Sequence, residues 1–389
     1  MRASGALLWT FGTLSSFASA IAGTTLTDDD LRNIPSPGSD FDIKDGKLLA
    51  PILIPRVPGT PGQLKAQAHL VDFFTANLPG WEQIWHNSTS KTPATGDRDV
   101  PFNNLIFRRD PPWAKAGDVG RLTLVAHYDS KLTPEGFIGA TDSAAPCAML
   151  LHAARSLDAA LQTKWAAMEA AGEADTSLEP ASGLQIIFLD GEEAFVQWTD
   201  DDSLYGARAL AAHWEHDFHG ASMSTYRTSL SAISLFVLLD LLGAEAPSIP
   251  SYFMTTHWAY RKMALLETRL RDLGLLEAKA SRPFLPEADK TAERFRGFGA
   301  GTVQDDHVPF MQRGVDILHL IPSPFPHVWH TLNDDGAHLH MPTTRDWARI
   351  VTAFAAEWLD LTGTLPQLVP KRNKRSNTDA VPTKERTDL

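Results

Sequence analysis

Strand-like and helix-like segments alternate along the body of the chain. The apolar runs in RLTLVAHYDS and LQIIFLDGEEA are each followed by a segment with apolar residues at helical spacing, CAMLLHAARSLDAALQ and SLYGARALAAHWEH. The same alternation continues through SLFVLLDLLGA, HWAYRKMALLETRLRDLG and VDILHLIP. Such alternation predicts a largely parallel sheet with helices on both faces. We therefore expect a three-layer α/β/α domain with a mostly parallel mixed central sheet.

Further elements are predicted at both ends of this pattern. QLKAQAHLVDFFTANLPG is typical of an amphipathic helix, and PFNNLIFRR of a strand. MPTTRDWARIVTAFAAEWLDLTG predicts a helix capped near Thr343 or Thr344 that stops near Gly363. The Ala- and Glu-rich stretch 165–182 lies between a predicted helix and a predicted strand, and we interpret it as a surface insertion. Because no linker divides the body, we expect one α/β domain over residues 23–365.

The two termini differ from this domain. Residues 1–22 place Arg2 before an apolar run that ends in small residues, which predicts a cleaved signal peptide. A membrane anchor is the alternative, but Thr and Ser interrupt the run, so we expect no stable membrane insertion after cleavage. The sequon at 87–89 fits a glycoprotein that is secreted or held in the secretory lumen. Residues 366–389 are polar and in part basic, which predicts a disordered tail.

Composition removes several classes of function. The chain has 389 residues, 43% of them hydrophobic, and 35 Lys and Arg against 47 Asp and Glu give a net charge of −12. The body has no basic, aromatic-rich stretch that would neutralise phosphates, so nucleic acid is not an expected partner. Cys147 is the only cysteine, which excludes internal disulfides and a cysteine-rich metal site.

Acidic residues follow several of the predicted strands. Asp142 precedes a helix, Glu192 and Glu193 follow IIFLDG, and Asp240 ends LFVLLD. Ligands of open α/β sheets bind outside the carboxyl ends of the strands, so these side chains should meet at one edge. Each carboxylate alone is most often a helix cap or a salt-bridge partner. Together they would repel one another unless a cation lay among them.

The residue types at this edge indicate zinc. Histidine and carboxylate ligands without a thiolate fit a catalytic zinc ion, which keeps one coordination position open for water or substrate. We choose Asp142, Glu193 and His330 as the ligands of one such ion. The neighbouring Glu192 cannot easily reach the same ion, so we expect it to act as a general base.

Six motifs carry a resemblance to a known family. In chain order they are HYDSK, GATDSAAPCAM, FLDGEEAF, DSLYGARALA, DDHVPF and IPSPFPHVWHT. The series resembles the animal-type zinc-dependent glutaminyl-peptide cyclotransferases, or glutaminyl cyclases, within the clan of zinc aminopeptidases. The resemblance runs from about residue 30 to about residue 360 and implies a zinc-aminopeptidase-like fold.

The resemblance also implies an activity. Such an acyltransferase converts N-terminal glutaminyl residues of peptides to pyroglutamate and releases ammonia, and the three ligands above would hold its single zinc ion. Glu192 would be the acid/base, with Asp240 and Asp305 as a hydrogen-bonded acidic network beside it. The substrate pocket would be lined by Trp198, Phe325 and Trp329, although core packing is the usual role of a tryptophan. A monomer is the default expectation.

Two other functions stay open at this stage. The first is a dinuclear zinc aminopeptidase, in which His127 and Asp240 bind a second metal and Asp142 bridges the two ions. The second is a catalytically inactive scaffold, since fold does not determine function. The runs SPFPHVWHT and DSLYGARALA favour the cyclase over the peptidase, and the presence of every proposed ligand and of the base argues against the scaffold.

Overall fold

The computed structural model of the chain describes residues 25–115, 117–174, 180–220, 224–297 and 303–368. The predicted signal peptide and all but the first three residues of the predicted tail lie outside the described residues. Both therefore stay predictions.

Six strands form one mixed sheet in the order β1-β2-β4-β3-β5-β6. The four central and distal strands β4, β3, β5 and β6 pair in parallel, whereas β1 pairs with β2 and β2 with β4 in antiparallel fashion. The mostly parallel mixed sheet predicted from the sequence is thus confirmed. The strands are β1 Glu82–Lys91, β2 Asp99–Arg109, β3 Val119–His127, β4 Ala181–Leu189, β5 Ile233–Leu239 and β6 Ile317–Leu320.

Helices cover both faces of this sheet. Alternate residues of β3 point in opposite directions, so that Leu122 and Leu124 join the larger apolar core and Val125 the smaller one. The helices α2, α3, α5 and α8 contribute to the larger core, and α4 with Phe310 of α7 to the smaller one. Among the described residues, no helix is both long enough and apolar enough to cross a bilayer. The helices are α1 Asp28–Asn33, α2 Pro61–Asn77, α3 Ala145–Ala170, α4 Tyr205–His216, α5 His257–Asp272, α6 Ala292–Gly297, α7 Val308–Met311 and α8 Met341–Trp358.

The boundaries predicted for the last helix are wrong at both ends. The helix α8 begins at Met341, and the side chain of His340 accepts the hydrogen bond from the backbone N–H of Thr343. Pro342 is suited to the first turn of a helix, because its missing N–H has no partner to lose there. The helix ends at Trp358, and Gly363 lies in the turns that follow, with φ of 73°.

The interpretation of residues 165–182 as a surface insertion is also wrong at both ends. The helix α3 continues to Ala170, and Trp165 is buried in the larger core with the guanidinium of Arg109 5.2 Å from its ring centroid. At the other end, Ala181 is already part of β4. Apolar burial of Trp165 prolongs a helix whose later residues, apart from the half-buried Met168, are exposed, which composition alone does not reveal.

The buried His152 of α3 should make the fold sensitive to acid. Its Nε2 lies 3.1 Å from the carbonyl oxygen of Pro35, and burial lowers its pKa to about 4. The unfolded chain, with a His pKa of about 6.5, binds this proton more readily, so stability is lost as the pH falls from 6.5 towards 4. Between pH 7 and pH 4.5, the free energy of unfolding should therefore fall by about 1–3 kcal/mol less in the His152→Asn variant than in the parent.

Denaturant unfolding at the two pH values measures this difference. Asn retains a hydrogen-bond donor for the Pro35 carbonyl but has no titratable group. The variant therefore tests the effect of protonation and not the loss of the hydrogen bond. The exposed His216 at the end of α4 provides a control, because His216→Asn should lose as much stability as the parent. Equal losses in the parent and in His152→Asn would contradict the prediction.

Candidate active site

The three proposed metal ligands come from different segments and meet at the carboxyl ends of the central strands. Asp142 lies in the short helical turn Ala140–Ala144 before α3, Glu193 follows β4, and His330 lies in the loop after β6 with φ of 58°. One ligand atom from each of the three residues lies within 4.8 Å of the other two. The sequence-based choice therefore forms one compact group.

The geometry of this group fits a metal ion. The Nε2 atom of His330 lies 3.6 Å from Oδ2 of Asp142 and 3.6 Å from Oε2 of Glu193. Tetrahedral zinc with bonds of about 2.1 Å holds its ligand atoms about 3.4 Å apart. The Oε1 atom of Glu193 is buried without a hydrogen-bond partner among the described residues, as expected of an atom that awaits a cation.

Cys147 takes no part in this group. Its Sγ donates a hydrogen bond to the carbonyl oxygen of His127 at 3.1 Å, and burial raises the pKa of its thiol to about 12. A thiol in this state is a poor metal ligand. The donor set is therefore one imidazole and two carboxylates.

A glycine sets the backbone that carries Asp142. Gly139 has φ of 62°, and a Cβ built at this position would collide with the carbonyl oxygen of Asp142. Any other residue at position 139 would have to displace the ligand-bearing turn.

Asp129 holds the two adjacent glutamates in place. This carboxylate is fully buried, and its oxygens accept hydrogen bonds from the backbone N–H groups of Glu192 at 3.1 Å and of Glu193 at 3.2 Å. Charge-assisted hydrogen bonds of this kind are strong. Asp129 lies two residues after the end of β3, a position that marks it in the sequence as a residue of the site edge but does not indicate this role.

Glu192 lies in the wall of the cavity next to this group. Burial raises its pKa well above the usual range, and repulsion from Asp305, Glu193 and Asp306 adds to the shift against the opposing effect of His127. A carboxylate with a raised pKa is a stronger base than an ordinary carboxylate and can take up a proton and give it back during a reaction. Its environment is therefore suited to moving a proton.

Asp240 and His127 form a second polar pair beside Asp142. The Nε2 atom of His127 lies 3.0 Å from Oδ1 of Asp142 and 3.5 Å from Oδ1 of Asp240. Burial acts to raise the pKa of Asp240, but hydrogen bonds from His127 and Ser143 hold it below its usual value. Burial opposes protonation of His127, yet three carboxylates around it raise its pKa well above the usual range.

Asp305 is buried and has its own hydrogen-bond partners. Its Oδ2 is 2.6 Å from Nε2 of His319, and its Oδ1 accepts a hydrogen bond from the N–H of Asp306 at 2.6 Å. Burial raises the pKa of Asp305 well above its usual range, and repulsion from Asp240 adds to this shift. The charge of Asp305 thus interacts with those of Glu192 and Asp240. Asp305 itself is absent from the described residues that line the cavity.

Two other described groups also have the spacing of metal ligands. His127, Asp142 and Asp240 form one, and Asp305, His307 and His319 form the other. The first of these shares Asp142 with the proposed site and contains the residues of the dinuclear alternative. Spacing alone therefore permits more than one ion.

Aromatic side chains form much of the cavity, whose volume is about 310 Å³. The ring of Trp329 stacks on His330 at 3.8 Å between centroids and meets Phe325 edge-on at 4.8 Å. The indole N–H of Trp198 donates to Oε1 of Gln304 at 3.0 Å. All three predicted pocket residues thus lie in the wall. The lining consists of Asp142, Glu192, Trp198, Asp240, Leu241, Val303, Gln304, Ile321, Phe325, Trp329 and His330.

Some residues at the site were not predicted from the sequence. Leu241 and Ile321 directly follow Asp240 and β6, where their position past a strand end was the available signal. Gln304 had no such signal except its place before the acidic pair of DDHVPF. The ammonium of Lys131 lies 3.5 Å from Oε2 of Glu193 and places a positive charge beside a proposed ligand.

Comparison with known proteins places this site in a family. The model of peptidase family M28 matches residues 112–355. A glutaminyl-peptide cyclotransferase-like protein of Bos taurus is 42% identical over 316 residues, which is 80% of this chain and 74% of the relative. The glutaminyl-peptide cyclotransferase of Bothrops jararaca is 41% identical over 322 residues, 80% of each chain.

Solved structures agree with the sequence relatives. The glutaminyl cyclase of Macrostomum lignano superimposes with a TM-score of 0.69 at 30% identity, covering 90% of this chain and 97% of its own. A zinc-dependent exopeptidase of Parabacteroides distasonis has a TM-score of 0.54 at 17% identity over 82% of this chain and 98% of its own, which shows a shared fold. The zinc-aminopeptidase-like fold is confirmed. The chain therefore belongs to peptidase family M28 and, within it, to the glutaminyl-peptide cyclotransferases.

Proposed function

We propose that this protein is a glutaminyl-peptide cyclotransferase, which converts N-terminal glutaminyl residues of peptides to pyroglutamate and ammonia. One observation carries the proposal: Glu192, a buried carboxylate of raised pKa, lines the same small cavity as the proposed metal ligands Asp142 and His330. The family relationship supports it over most of the chain. Peptides with an N-terminal Gln are the proposed partners, and a monomer is the proposed state.

We assign a single zinc ion to Asp142, Glu193 and His330. The imidazole and two carboxylates suit zinc in a catalytic setting, and the buried Oε1 of Glu193 is otherwise without a partner among the described residues. Zinc bound at these residues supplies Lewis-acid polarisation of the carbonyl in the substrate's side-chain amide.

Glu192 moves the proton that the reaction requires. The neutral α-amine nitrogen of the substrate attacks the carbonyl carbon of its own side chain, and a new C–N bond closes the five-membered ring. Glu192 accepts a proton from this amine and returns it to the departing amide nitrogen, whose bond to carbon breaks as ammonia leaves. Asp129 keeps the base in position through its hydrogen bond to the backbone of Glu192.

Asp240 is suited to hold the departing nitrogen. Its Oδ1 accepts hydrogen bonds from the hydroxyl of Ser143 and from the N–H of Leu241, and its carboxylate lines the cavity. The other oxygen, Oδ2, can accept an N–H of the substrate amide. Asp305 is proposed to share a proton within this acidic network, because repulsion from Asp240 favours its protonated form.

The cavity wall shapes the substrate for ring closure. No external nucleophile is needed, so catalysis depends on folding the Gln side chain back towards its own amine. Trp198, Phe325 and Trp329 are proposed to enclose this folded conformation and to exclude water.

The half-exposed ring of Trp329 should contribute directly to substrate binding. We expect Trp329→Ala to raise KM roughly 10-fold, equivalent to about 1.4 kcal/mol, because a stacking wall of the cavity is lost. Steady-state kinetics on a Gln peptide measure the change. Trp85→Ala is a matched control, since Trp85 on β1 is 41% exposed against 38% for Trp329. Unchanged kinetics of Trp329→Ala would leave the ring with a packing role only.

One assay tests the proposed activity against both alternatives. Ammonia release and mass loss are followed on a peptide with N-terminal Gln, in parallel with an N-terminal Leu peptide, before and after chelation and zinc addition. Loss of one ammonia from the Gln peptide alone, abolished by the chelator and restored by zinc, is the expected result. Release of free Leu or Gln would instead indicate the dinuclear aminopeptidase, and inactivity with no zinc uptake would indicate the scaffold.

The proposed route of this enzyme is the secretory pathway. Asn87 of the sequon is exposed on β1, the edge strand of the sheet, where a glycan has room. Protein secreted from eukaryotic cells should therefore shift on gels after glycosidase treatment, and Asn87→Gln should abolish the shift. The mature N-terminus should lie near residues 21–23; an unshifted parent with an intact Met1 would argue against this route.

A further inference from the structure

Arg56 is one of the largest fully buried side chains of the described structure, and it has an unusual set of partners. Arginine stays charged in proteins, and a buried charge is normally paired with a carboxylate. The guanidinium of Arg56 instead donates to carbonyl oxygens at 2.6–3.3 Å. They belong to Ile52, Ile54, Tyr128, Asp129, Ile138 and Gly139.

These carbonyl groups lie at both ends of one loop. Residues 128–139 connect β3 to the turn that carries Asp142, and Arg56 contacts the first two and the last two residues of this loop. The backbone N–H of Arg56 also donates to Oγ of Ser130 at 2.8 Å. One side chain thereby fixes where the loop leaves the sheet and where it enters the ligand-bearing turn.

The two ends of the loop are in direct contact with the segments that carry the acidic residues of the proposed metal site. At one end, Asp129 accepts the backbone hydrogen bonds of Glu192 and Glu193. At the other end, Gly139 lies so close to the backbone of Asp142, three residues further on, that a Cβ built on it would collide with the Asp142 carbonyl oxygen. A shift of these two ends would therefore move the metal ligands and the base together.

Arg56 also acts through its charge. Burial lowers the pKa of the guanidinium, and the negative charges of Asp129 and Asp142 oppose that shift. A fixed positive charge behind the acidic cluster reduces the repulsion among its carboxylates before any cation is bound.

We infer that Arg56 is a positioning residue of the acidic metal site. It holds both ends of the loop 128–139 in place, and its positive charge offsets the negative charge of the carboxylates in the site. The inference rests on the ligands assigned in the proposed function. It concerns a residue that is not among the described lining of the cavity and whose guanidinium donates to backbone carbonyl oxygens.

Zinc affinity of the metal-free protein is the direct test, measured by competition with a chromophoric chelator. We expect Arg56→Met to weaken zinc binding at least about 10-fold, in the range found for outer-shell partners of metal ligands. Arg56→Lys keeps the positive charge but lacks the planar set of guanidinium donors. Its zinc affinity should therefore lie between those of the parent and of Arg56→Met. At saturating zinc, kcat of Arg56→Lys should fall while KM is unchanged, because the base is displaced and the aromatic wall is not.

Arg349 offers a matched control for loss of stability. It also donates to carbonyl oxygens of two separate segments, those of Ile34 and Leu275, at a distance from the cavity. Arg349→Met should lower the unfolding temperature of the metal-free protein without changing its zinc affinity.

The outcomes separate the alternatives. A folded Arg56→Met with the zinc affinity of the parent would overturn the inference, and so would the same result in Arg56→Lys if the Met variant does not fold. Zinc binding is measured without substrate. If Arg56→Met binds zinc more weakly than the parent and the parent does not cyclise Gln peptides, the proposed function would be refuted and this inference would stand.

Discussion

Glu192→Gln should lose most of its turnover while it keeps its zinc. The amide cannot accept the proton of the attacking amine, and general acid–base catalysis of this kind contributes roughly 10²- to 10⁴-fold. We therefore expect kcat to fall by that factor. The backbone N–H of residue 192 still donates to Asp129, so the adjacent ligand Glu193 should stay in place.

The measurement pairs steady-state kinetics with metal analysis of the same sample. Glu215→Gln supplies the matched control, because Glu215 is a half-exposed residue of α4 paired with Arg313 and lies outside the cavity. The control should retain parental kcat. Near-parental turnover of Glu192→Gln would remove this residue from the proton transfer, whereas loss of zinc would show that it also supports the metal.

The second large effect is expected when a ligand is removed. Glu193→Ala or His330→Ala leaves two of the three proposed ligands, and the remaining buried carboxylates lose the cation that offsets their repulsion. Outer-shell partners contribute 10- to 100-fold to metal affinity, so loss of a ligand should weaken zinc binding by more than about 100-fold. Activity measured without added zinc should fall in parallel.

Metal titration of the apo variants is the decisive measurement. His327→Ala is a matched control, because His327 is exposed in the same loop three residues before His330. It should bind zinc like the parent. Full zinc occupancy in Glu193→Ala or His330→Ala would show that the ligands were chosen wrongly and would shift attention to His127 and Asp240.

The main elements of the fold could be predicted because their patterns are long and regular. The buried strands β3, β4 and β5 are continuous apolar runs in the sequence, and α3 to α5 have apolar residues at helical spacing. The edge strand β1 was missed, since its half-exposed sequence EQIWHNSTSK has no buried residue to produce such a pattern. Its existence depends on pairing with β2, which is a tertiary interaction.

The proposed ligands were chosen by residue type and by position past a strand, and a neighbouring carboxylate shares both of these signals. Asp190 precedes Glu192 in the same loop, yet its Oδ2 accepts hydrogen bonds from the hydroxyl of Tyr128 and the N–H of Asn103. Burial raises its pKa to about 8. The part played by Arg56 was equally hidden, because its partners are carbonyl groups of residues distant in sequence.

The separation of the three proposed ligands along the chain has a consequence for biogenesis. Asp142, Glu193 and His330 follow three different strands of one sheet, so they meet only after non-local strand pairing is complete. A metal ion held by these residues would therefore bind after the sheet has formed, whereas the zinc ion of small zinc-dependent domains drives their folding. On this assignment the polypeptide folds first and takes up the metal afterwards, so the compartment in which it matures would have to supply the metal to an already folded chain.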